Sequence, residues 1–122
     1  MFNDSDRNSY QFVKDIVLMW KLSGRSLHYN IDATRCISLC GERGVVFDVV
    51  FCDPPFEKIA SIPAVYSNIL QAISDSSIIN EDSVILVQHY HTNIMPDTLG
   101  RLIKKDTRKY GTNSLSIYTV VL

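Results

Sequence analysis

The residues best suited to chemistry in this 122-residue chain are Asp53, Pro54, Pro55 and Phe56, which follow directly on an apolar run. An exocyclic amine of a nucleic-acid base is a poor nucleophile, because its lone pair is delocalised into the ring. The Asp53 carboxylate and the Pro54 carbonyl could accept its two N–H bonds and direct the lone pair at a methyl donor. The prolines stiffen the loop that carries these acceptors, and Phe56 offers a ring for stacking a flipped base. The tetrapeptide predicts methyl transfer to the amino group of a base.

A simple turn is the alternative explanation for Asp53 and Pro54, since both residue types favour turns. It does not account for Pro55 and Phe56, and with proline near 5% of residues the full pattern seldom arises by chance. The preceding run, Val45–Cys52, predicts a strand of a parallel sheet that is covered on both faces and ends at the prolines. Ligands collect at the carboxyl ends of such strands, which favours a functional Asp53.

Helices and strands alternate along the rest of the chain. In chain order the predicted elements are a helix over 5–23 capped by Ser5 or Asp6, a strand over 27–31, a helix over 33–40, the strand over 45–52, a helix from Pro63, a strand over 83–89, a short helix after Pro96 and Asp97, and strands over 102–110 and 114–121. The last two strands form a hairpin through Gly111. This order predicts an α/β fold with a mostly parallel sheet and an antiparallel edge.

Composition bounds the class of protein. Hydrophobic residues make up 46% and charged residues 20%, which is typical of one modest globular domain. No apolar run approaches the ~20 residues that cross a bilayer, and the N-terminus lacks the features of a signal peptide. An odd number of cysteines suits a reducing compartment, so we expect a cytoplasmic protein without a membrane partner. A net charge of −1 does not indicate a nucleic-acid partner.

Two local clusters leave alternatives open. Five of the twelve basic residues fall within nine positions: Arg101, Lys104, Lys105, Arg108 and Lys109. Such a run is either a solvated face or an RNA contact. Three thiols and two histidines could contribute metal ligands: Cys36, Cys40, Cys52, His89 and His91. Because no complete ligand spacing accompanies them, we interpret the thiols as small buried side chains and predict no metal.

With these motifs in place, the chain resembles the bacterial 16S ribosomal RNA guanine-N2 methyltransferases, a class I methyltransferase family. Four segments carry the resemblance: residues 47–56 (FDVVFCDPPF) resemble its strand-4 motif, residues 4–7 (DSDR) the acidic segment after strand 2, residues 31–33 (IDA) the segment beside the cofactor's adenine, and Tyr110-Gly111-Thr112 with Leu115 and Tyr118 its closing hairpin. Together they span nearly the whole chain.

The resemblance implies a Rossmann-like sheet, S-adenosylmethionine as cofactor, and methylation of a guanine N2 amine in small-subunit ribosomal RNA or its precursor. Asp4 would bind the ribose hydroxyls, unless it only favours the helix dipole. Asp32 and Ala33 would lie beside the adenine, unless Asp32 is only a helix cap. The tetrapeptide from Asp53 to Phe56 would hold the guanine.

The chain also departs from the family pattern. Gln88-His89 stands where the family more often has Glu-His, and the family's N-terminal hairpin, its strand 1 with a glycine-rich loop, and most of its strand 2 have no counterpart. Since the class I sheet runs 3-2-1-4-5-7-6, we expect residues 1–122 to form a single partial domain in which strand 4 lacks a neighbour. A separate N-terminal segment would complete it, and the chain alone should bind cofactor poorly. An adenine-N6 methyltransferase and a non-catalytic binding module remain alternatives.

Overall fold

The computed structural model describes residues 1–55 and 64–121. Within them the chain forms β1 (Phe2–Asn3), α1 (Arg7–Met19), β2 (His28–Tyr29), α2 (Ala33–Glu42), β3 (Val49–Cys52), α3 (Ala64–Asp75), β4 (Val84–Tyr90), β5 (Thr98–Leu99), β6 (Leu102–Tyr110) and β7 (Asn113–Val120). A short 3-10 helix, Ser23–Arg25, lies between α1 and β2. The predicted helix start at Pro63 lies outside the described residues.

The described strands form two sheets that are not hydrogen-bonded to each other. β1 pairs with β2 in parallel, and the larger sheet has the order β3-β4-β7-β6-β5. The α/β class is confirmed, and β3-β4-β7-β6 agrees with the 4-5-7-6 part of the expected order. The prediction of a mostly parallel sheet is wrong for the described strands, because in the larger sheet only β3 and β4 pair in parallel. β7 lies between β4 and β6 and runs opposite to both.

One face of the larger sheet forms the core. Alternate residues of β4 and β7 are buried on this face, among them Ile85, Val87 and Tyr118. They cluster with Leu70 and Ile73 of α3. Because side chains alternate across a strand, this burial pattern sets which residues of each strand face the helix.

The other face is more open, most of all at β3. Val49 and Phe51 are 57% and 56% exposed. The prediction of a strand covered on both faces is therefore wrong for the described structure. The predicted start of this strand at Val45 is also wrong, because β3 begins at Val49 and residues 45–47 approach the sheet without joining its ladder. Val45 N–H instead donates to Cys40 O, and Phe47 N–H to Ile78 O.

Further corrections concern two predicted helices. The first helix ends at Met19 rather than near residue 23, and Lys21 adopts a positive φ of 58° just beyond it. The short helix predicted after Pro96 is wrong: Thr98–Leu99 is a strand paired with β6. Gly100, at φ 57°, makes the tight turn between these strands.

Candidate functional site

An open cleft of about 690 Å³ lies between the two sheets. It is bordered by every described residue that the sequence singled out for the cofactor and base sites: Asp4, Asp32, Ala33, Asp53, Pro54 and Pro55. The fold brings them together because the chain segments after β1, β2 and β3 open towards the cleft. Phe56, predicted to stack on the base, lies outside the described residues.

Two asparagines hold the small sheet at the point where it meets the cleft. Asn3 Nδ2 donates to Ile31 O at 3.1 Å, and Ile31 N–H donates to Asn3 Oδ1 at 3.3 Å. Asn30 Nδ2 donates to Asp4 O at 2.8 Å and to Ser5 O at 3.1 Å. These bonds fix the loop that carries Asp4. Neither asparagine was predicted from the sequence. The signal that could have identified them is their position just before Asp4 and Asp32 in the chain.

Asp4 is not the residue that caps α1. Asp6 caps this helix by accepting from Ser9 N–H at 2.8 Å, and that bond, followed by the bond from the Ser9 hydroxyl, lowers the pKa of Asp6. The alternative that Asp6 caps the helix is thereby confirmed over Ser5. Asp4 uses one carboxylate oxygen to accept from Asp6 N–H at 2.9 Å. Its exposed carboxylate is available to a ligand in the cleft.

Asp32 is the N-cap of α2. Its carboxylate accepts from Thr34 N–H at 3.0 Å, from Arg35 N–H at 3.4 Å and from the Thr34 hydroxyl. These bonds, with the Thr34 hydroxyl contributing most, lower the pKa of Asp32. The interpretation of Asp32 as a helix cap is confirmed. Ala33 is the first residue of α2 and borders the cleft beside this cap.

Asp53 follows the last residue of β3. Cys52 pairs with Val87 of β4, so the ladder fixes the chain immediately before the acidic residue. Partial burial raises the pKa of Asp53. No hydrogen bond from another described residue satisfies its carboxylate, in contrast to Asp32. A partly desolvated carboxylate with free acceptor capacity is suited to receive N–H groups from a ligand.

Thiols form part of the cleft wall. Cys36, Cys40 and Cys52 all border it, and the first two are buried free thiols, which confirms that part of the sequence interpretation. Burial, followed by the neighbouring Cys40, raises the pKa of Cys36 to about 11, and burial raises the pKa of Cys52 to about 12. Cys36 and Cys52 are therefore neutral near pH 7, and the three side chains together make a largely apolar wall. The described residues contain no cluster of three or more metal-ligating side chains.

His89 lies at the end of β4 in a buried hydrogen-bond network. Its Nδ1 lies 2.9 Å from Tyr90 O and its Nε2 2.7 Å from the Ser116 hydroxyl. A carbonyl only accepts, so Nδ1 carries the proton and Nε2 accepts from Ser116. Burial, and then the charge of Lys104, lower the pKa of His89. The neutral ring thus links β4 to β7.

The comparisons with known proteins agree on one family. The family model described as Conserved hypothetical protein 95 matches residues 1–119. YlbH of Bacillus subtilis (strain 168), provisionally named an rRNA methyltransferase, is 27% identical over 120 residues. The match covers 97% of this chain and 61% of YlbH, so the chain spans less than two thirds of that relative.

Solved structures share the fold. A conserved hypothetical protein from Streptococcus pyogenes superposes with a TM-score of 0.78 at 19% identity, over 97% of this chain and 69% of the other. For yhhF of Escherichia coli, provisionally named a methyltransferase, the TM-score is 0.76 at 18% identity, over 98% and 63% of the two chains.

None of the described helices is both long and apolar enough to cross a membrane. The names of the relatives confirm the resemblance to a ribosomal RNA methyltransferase family that the sequence predicted, while guanine-N2 specificity remains a prediction. Since the family model covers nearly the whole length, the chain belongs to the family described as Conserved hypothetical protein 95.

Proposed function

We propose that the chain is the base-binding part of an S-adenosylmethionine-dependent enzyme that methylates the N2 amine of a guanine in small-subunit ribosomal RNA. One observation carries the proposal: Asp53 and Pro54 border the same cleft as the two candidate cofactor carboxylates, Asp4 and Asp32. The provisional name of YlbH, an rRNA methyltransferase, supports the class of substrate.

The residues around the cleft fit the proposed cofactor. A volume of about 690 Å³ lies within the range of ~300–1,000 Å³ that small-molecule sites occupy. Asp4, with its exposed carboxylate, would accept hydrogen bonds from the ribose hydroxyls. Asp32 and Ala33 would lie beside the adenine, with the Asp32 carboxylate held in place by its capping bonds. The thiol side chains would give the cofactor an apolar wall.

The chain's own residues act on the base. The Asp53 carboxylate and the Pro54 carbonyl each accept one N–H bond of the exocyclic amine, which turns its lone pair towards the methyl group. Bound S-adenosylmethionine would supply that methyl group from a sulfonium, with the sulfur leaving as a neutral thioether in a direct displacement, and the methylated amine would then lose one proton to solvent. Asp53 and Pro54 contribute mainly position, since orienting two reactants can supply ~7–11 kcal/mol of a barrier.

We also propose that a separate N-terminal segment completes the cleft by adding a parallel strand beside β3. Val49 and Phe51 are more than half exposed on this strand, and the described part of β3 pairs only with β4. An open apolar edge is an aggregation hazard that proteins normally cover. The chain alone should therefore bind S-adenosylmethionine weakly, and low-micromolar binding by the isolated monomer in calorimetry would contradict this expectation.

The test is methyl transfer to small-subunit ribosomal RNA. The chain would be coexpressed with the part of YlbH that it does not match, and incubated with labelled S-adenosylmethionine. We expect label in the RNA, and loss of that label in Asp53→Ala. The matched control is Asp48→Ala, which removes an exposed carboxylate from the opposite end of β3 and should leave methyl transfer unchanged.

Digestion of the labelled RNA to nucleosides identifies the product. N2-methylguanosine supports the proposal, whereas N6-methyladenosine favours the alternative adenine-N6 enzyme, because the same acceptor pair serves either amine. If the completed protein binds cofactor and RNA and transfers no methyl group, the proposed activity is wrong. Unchanged RNA affinity in Asp53→Ala would then indicate a binding module.

A further inference from the structure

The basic run near the C-terminus divides into two groups in the structure. Arg101 Nε and Nη2 donate to the carbonyls of Ser74 and Ser76, each at 2.7 Å, and so tie the β5–β6 turn to the end of α3. Lys104 Nζ lies 3.1 Å from Asp97 Oδ1 and donates to Met95 O at 3.2 Å. These two cations serve the fold and are not available to a polyanion.

The other three cations lie on the distal half of β6 and are exposed: Lys105, Arg108 and Lys109. β5 pairs only with Leu102 and Ile103, so this half has β7 as its only strand neighbour among the described residues. β6 carries four basic residues and one acidic residue, and a fifth basic residue, Arg101, directly precedes it. The net charge of the whole chain is −1. Positive charge is therefore concentrated at one site of an otherwise acidic molecule.

The single acidic residue does not cancel this charge. Asp106 Oδ2 lies 3.0 Å from Arg108 Nε, with both side chains at least half exposed. Surface pairs of this kind contribute little, ~0–1 kcal/mol, because water screens them. Arg108 can therefore exchange this carboxylate for a phosphate at small cost, while Lys105 and Lys109 have no ion pair with another described residue.

The register of the sheet places this distal half at the same end as Asp53. Gln88 of β4 pairs with Leu115 of β7, which pairs with Arg108. Asp53 continues β3 beyond Cys52, whose partner is Val87, and so lies level with Gln88. Three strand spacings of ~4.8 Å put the backbones of Asp53 and Arg108 about 14 Å apart, a distance that a few nucleotides of one strand span at ~3.4 Å or more each.

Aromatic rings line the same end of the sheet. Tyr110 is 61% exposed, and it shares its sheet face with Tyr90 through their common pairing partner Asn113. The rings of Tyr90 and His91 contact each other at 4.6 Å between centroids. Cations beside exposed rings are the combination with which proteins hold single-stranded nucleic acid.

We propose that Arg108, Lys109 and Tyr110 bind the single-stranded RNA that flanks the target base. Arg108 and Tyr110 share the open face of the sheet and Lys109 points to the other face. The RNA would therefore follow the exposed edge of β6, where the two cations contact phosphates and Tyr110 stacks on a base a few nucleotides from the one held at Asp53. This inference rests on the proposed function for the identity of the polymer, and it adds the surface that selects RNA. Unpaired RNA fits best, since its bases are free to stack.

The test is fluorescence anisotropy of a labelled single-stranded RNA with the 122-residue chain, without cofactor, over a series of KCl concentrations. Removing two phosphate contacts in Arg108→Ala/Lys109→Ala should weaken binding and make the slope of log K against log salt shallower by about 1.4, at ~0.7 per phosphate. The matched control, Lys14→Ala/Arg25→Ala, removes the same charge from exposed positions on α1 and the 3-10 helix and should leave the slope unchanged.

Stacking is tested separately from charge. Tyr110→Ala should weaken binding about five- to hundredfold with an unchanged salt slope, while Tyr110→Phe should bind like the unmodified chain. Equal losses in the β6 and control double variants, or no RNA binding by the chain at the lowest salt, would overturn the inference. Because the readout needs no methyl transfer, RNA binding without activity would refute the proposed function and leave this surface standing.

Discussion

Replacing Gly100 with alanine should destabilise the chain more than the same replacement at any exposed turn. Gly100 has φ 57°, a conformation that residues with a Cβ atom rarely adopt. A Cβ atom there would overlap the Ser74 hydroxyl oxygen and lie 3.1 Å from Ser74 Cβ. That hydroxyl accepts from Arg101 N–H at 2.8 Å, so the clash falls on the bond that joins the β5–β6 turn to α3.

Two costs add at this position. The left-handed conformation costs an alanine about 1–2 kcal/mol. Moving the buried Ser74 side chain away from Arg101 N–H leaves polar groups unsatisfied, at about 1–3 kcal/mol. We therefore expect Gly100→Ala to lower the free energy of unfolding by about 2–5 kcal/mol, a large part of the ~5–15 kcal/mol of a typical domain.

The assay is urea unfolding followed by far-UV circular dichroism, with Gly111→Ala as the matched control. Gly111 also has a positive φ, 64°, but a Cβ atom there would meet no atom within 4 Å, so its replacement should cost only the conformational part. At a slope of ~1–3 kcal/mol/M, the urea midpoint of the Gly100 variant should lie about 0.7 M or more below that of the unmodified chain. Equal midpoints for the two variants would refute the clash argument.

The remaining predictions concern protonation and capping. Because burial lowers the pKa of His89, the contribution of this residue to the free energy of unfolding is complete above the ordinary pKa of about 6.5. The contribution decreases as the pH falls from this ordinary pKa towards the lowered pKa. His89→Gln should therefore flatten the pH dependence of the urea midpoint. Iodoacetamide at pH 8 should modify Cys36 roughly a hundredfold and Cys52 roughly a thousandfold more slowly in the folded chain than in urea, since their pKa values are about 11 and about 12. Asp32→Ala should lower the urea midpoint through loss of the α2 cap, whereas Asp32→Asn should retain it; equal midpoints would contradict the capping role.

The strands that sequence predicts best are those whose pattern is bounded by turn residues. The prediction for β6 matches its observed residues, 102–110, because Gly100 and Gly111 mark both ends. The prediction for the segment after Pro96 is wrong, since proline and aspartate are also typical of a helix start. There, Tyr118 donates its hydroxyl to Pro96 O at 2.7 Å, a long-range contact that no local pattern reveals.

In the candidate site, too, local features could be predicted from the sequence and long-range contacts could not. Asp53 and Pro54 could be predicted because their residue types and their position after a strand are both local properties. The bonds of Asn3 and Asn30 connect segments 25 to 28 residues apart and depend on the pairing of β1 with β2. The basic run looks uniform in sequence, and only the sheet register and the Ser74 and Ser76 carbonyls separate Arg101 from Arg108.

The two halves of the proposed reaction are carried by different sheets. Asp53 and the proposed RNA surface at Arg108 belong to the larger sheet, whose strands are continuously paired from β3 to β6. Asp4 and Asp32 follow β1 and β2, and among the described elements it is chiefly the packing of α2 against α3 that joins this unit to the larger sheet. The hydrogen-bonded ladder thus fixes Asp53 relative to Arg108, while the position of Asp4 and Asp32 relative to Asp53 depends chiefly on the contact between α2 and α3. For that reason the isolated chain should bind RNA even where it binds the cofactor weakly. A strand added beside β3 should raise the affinity for the cofactor and leave the affinity for RNA unchanged.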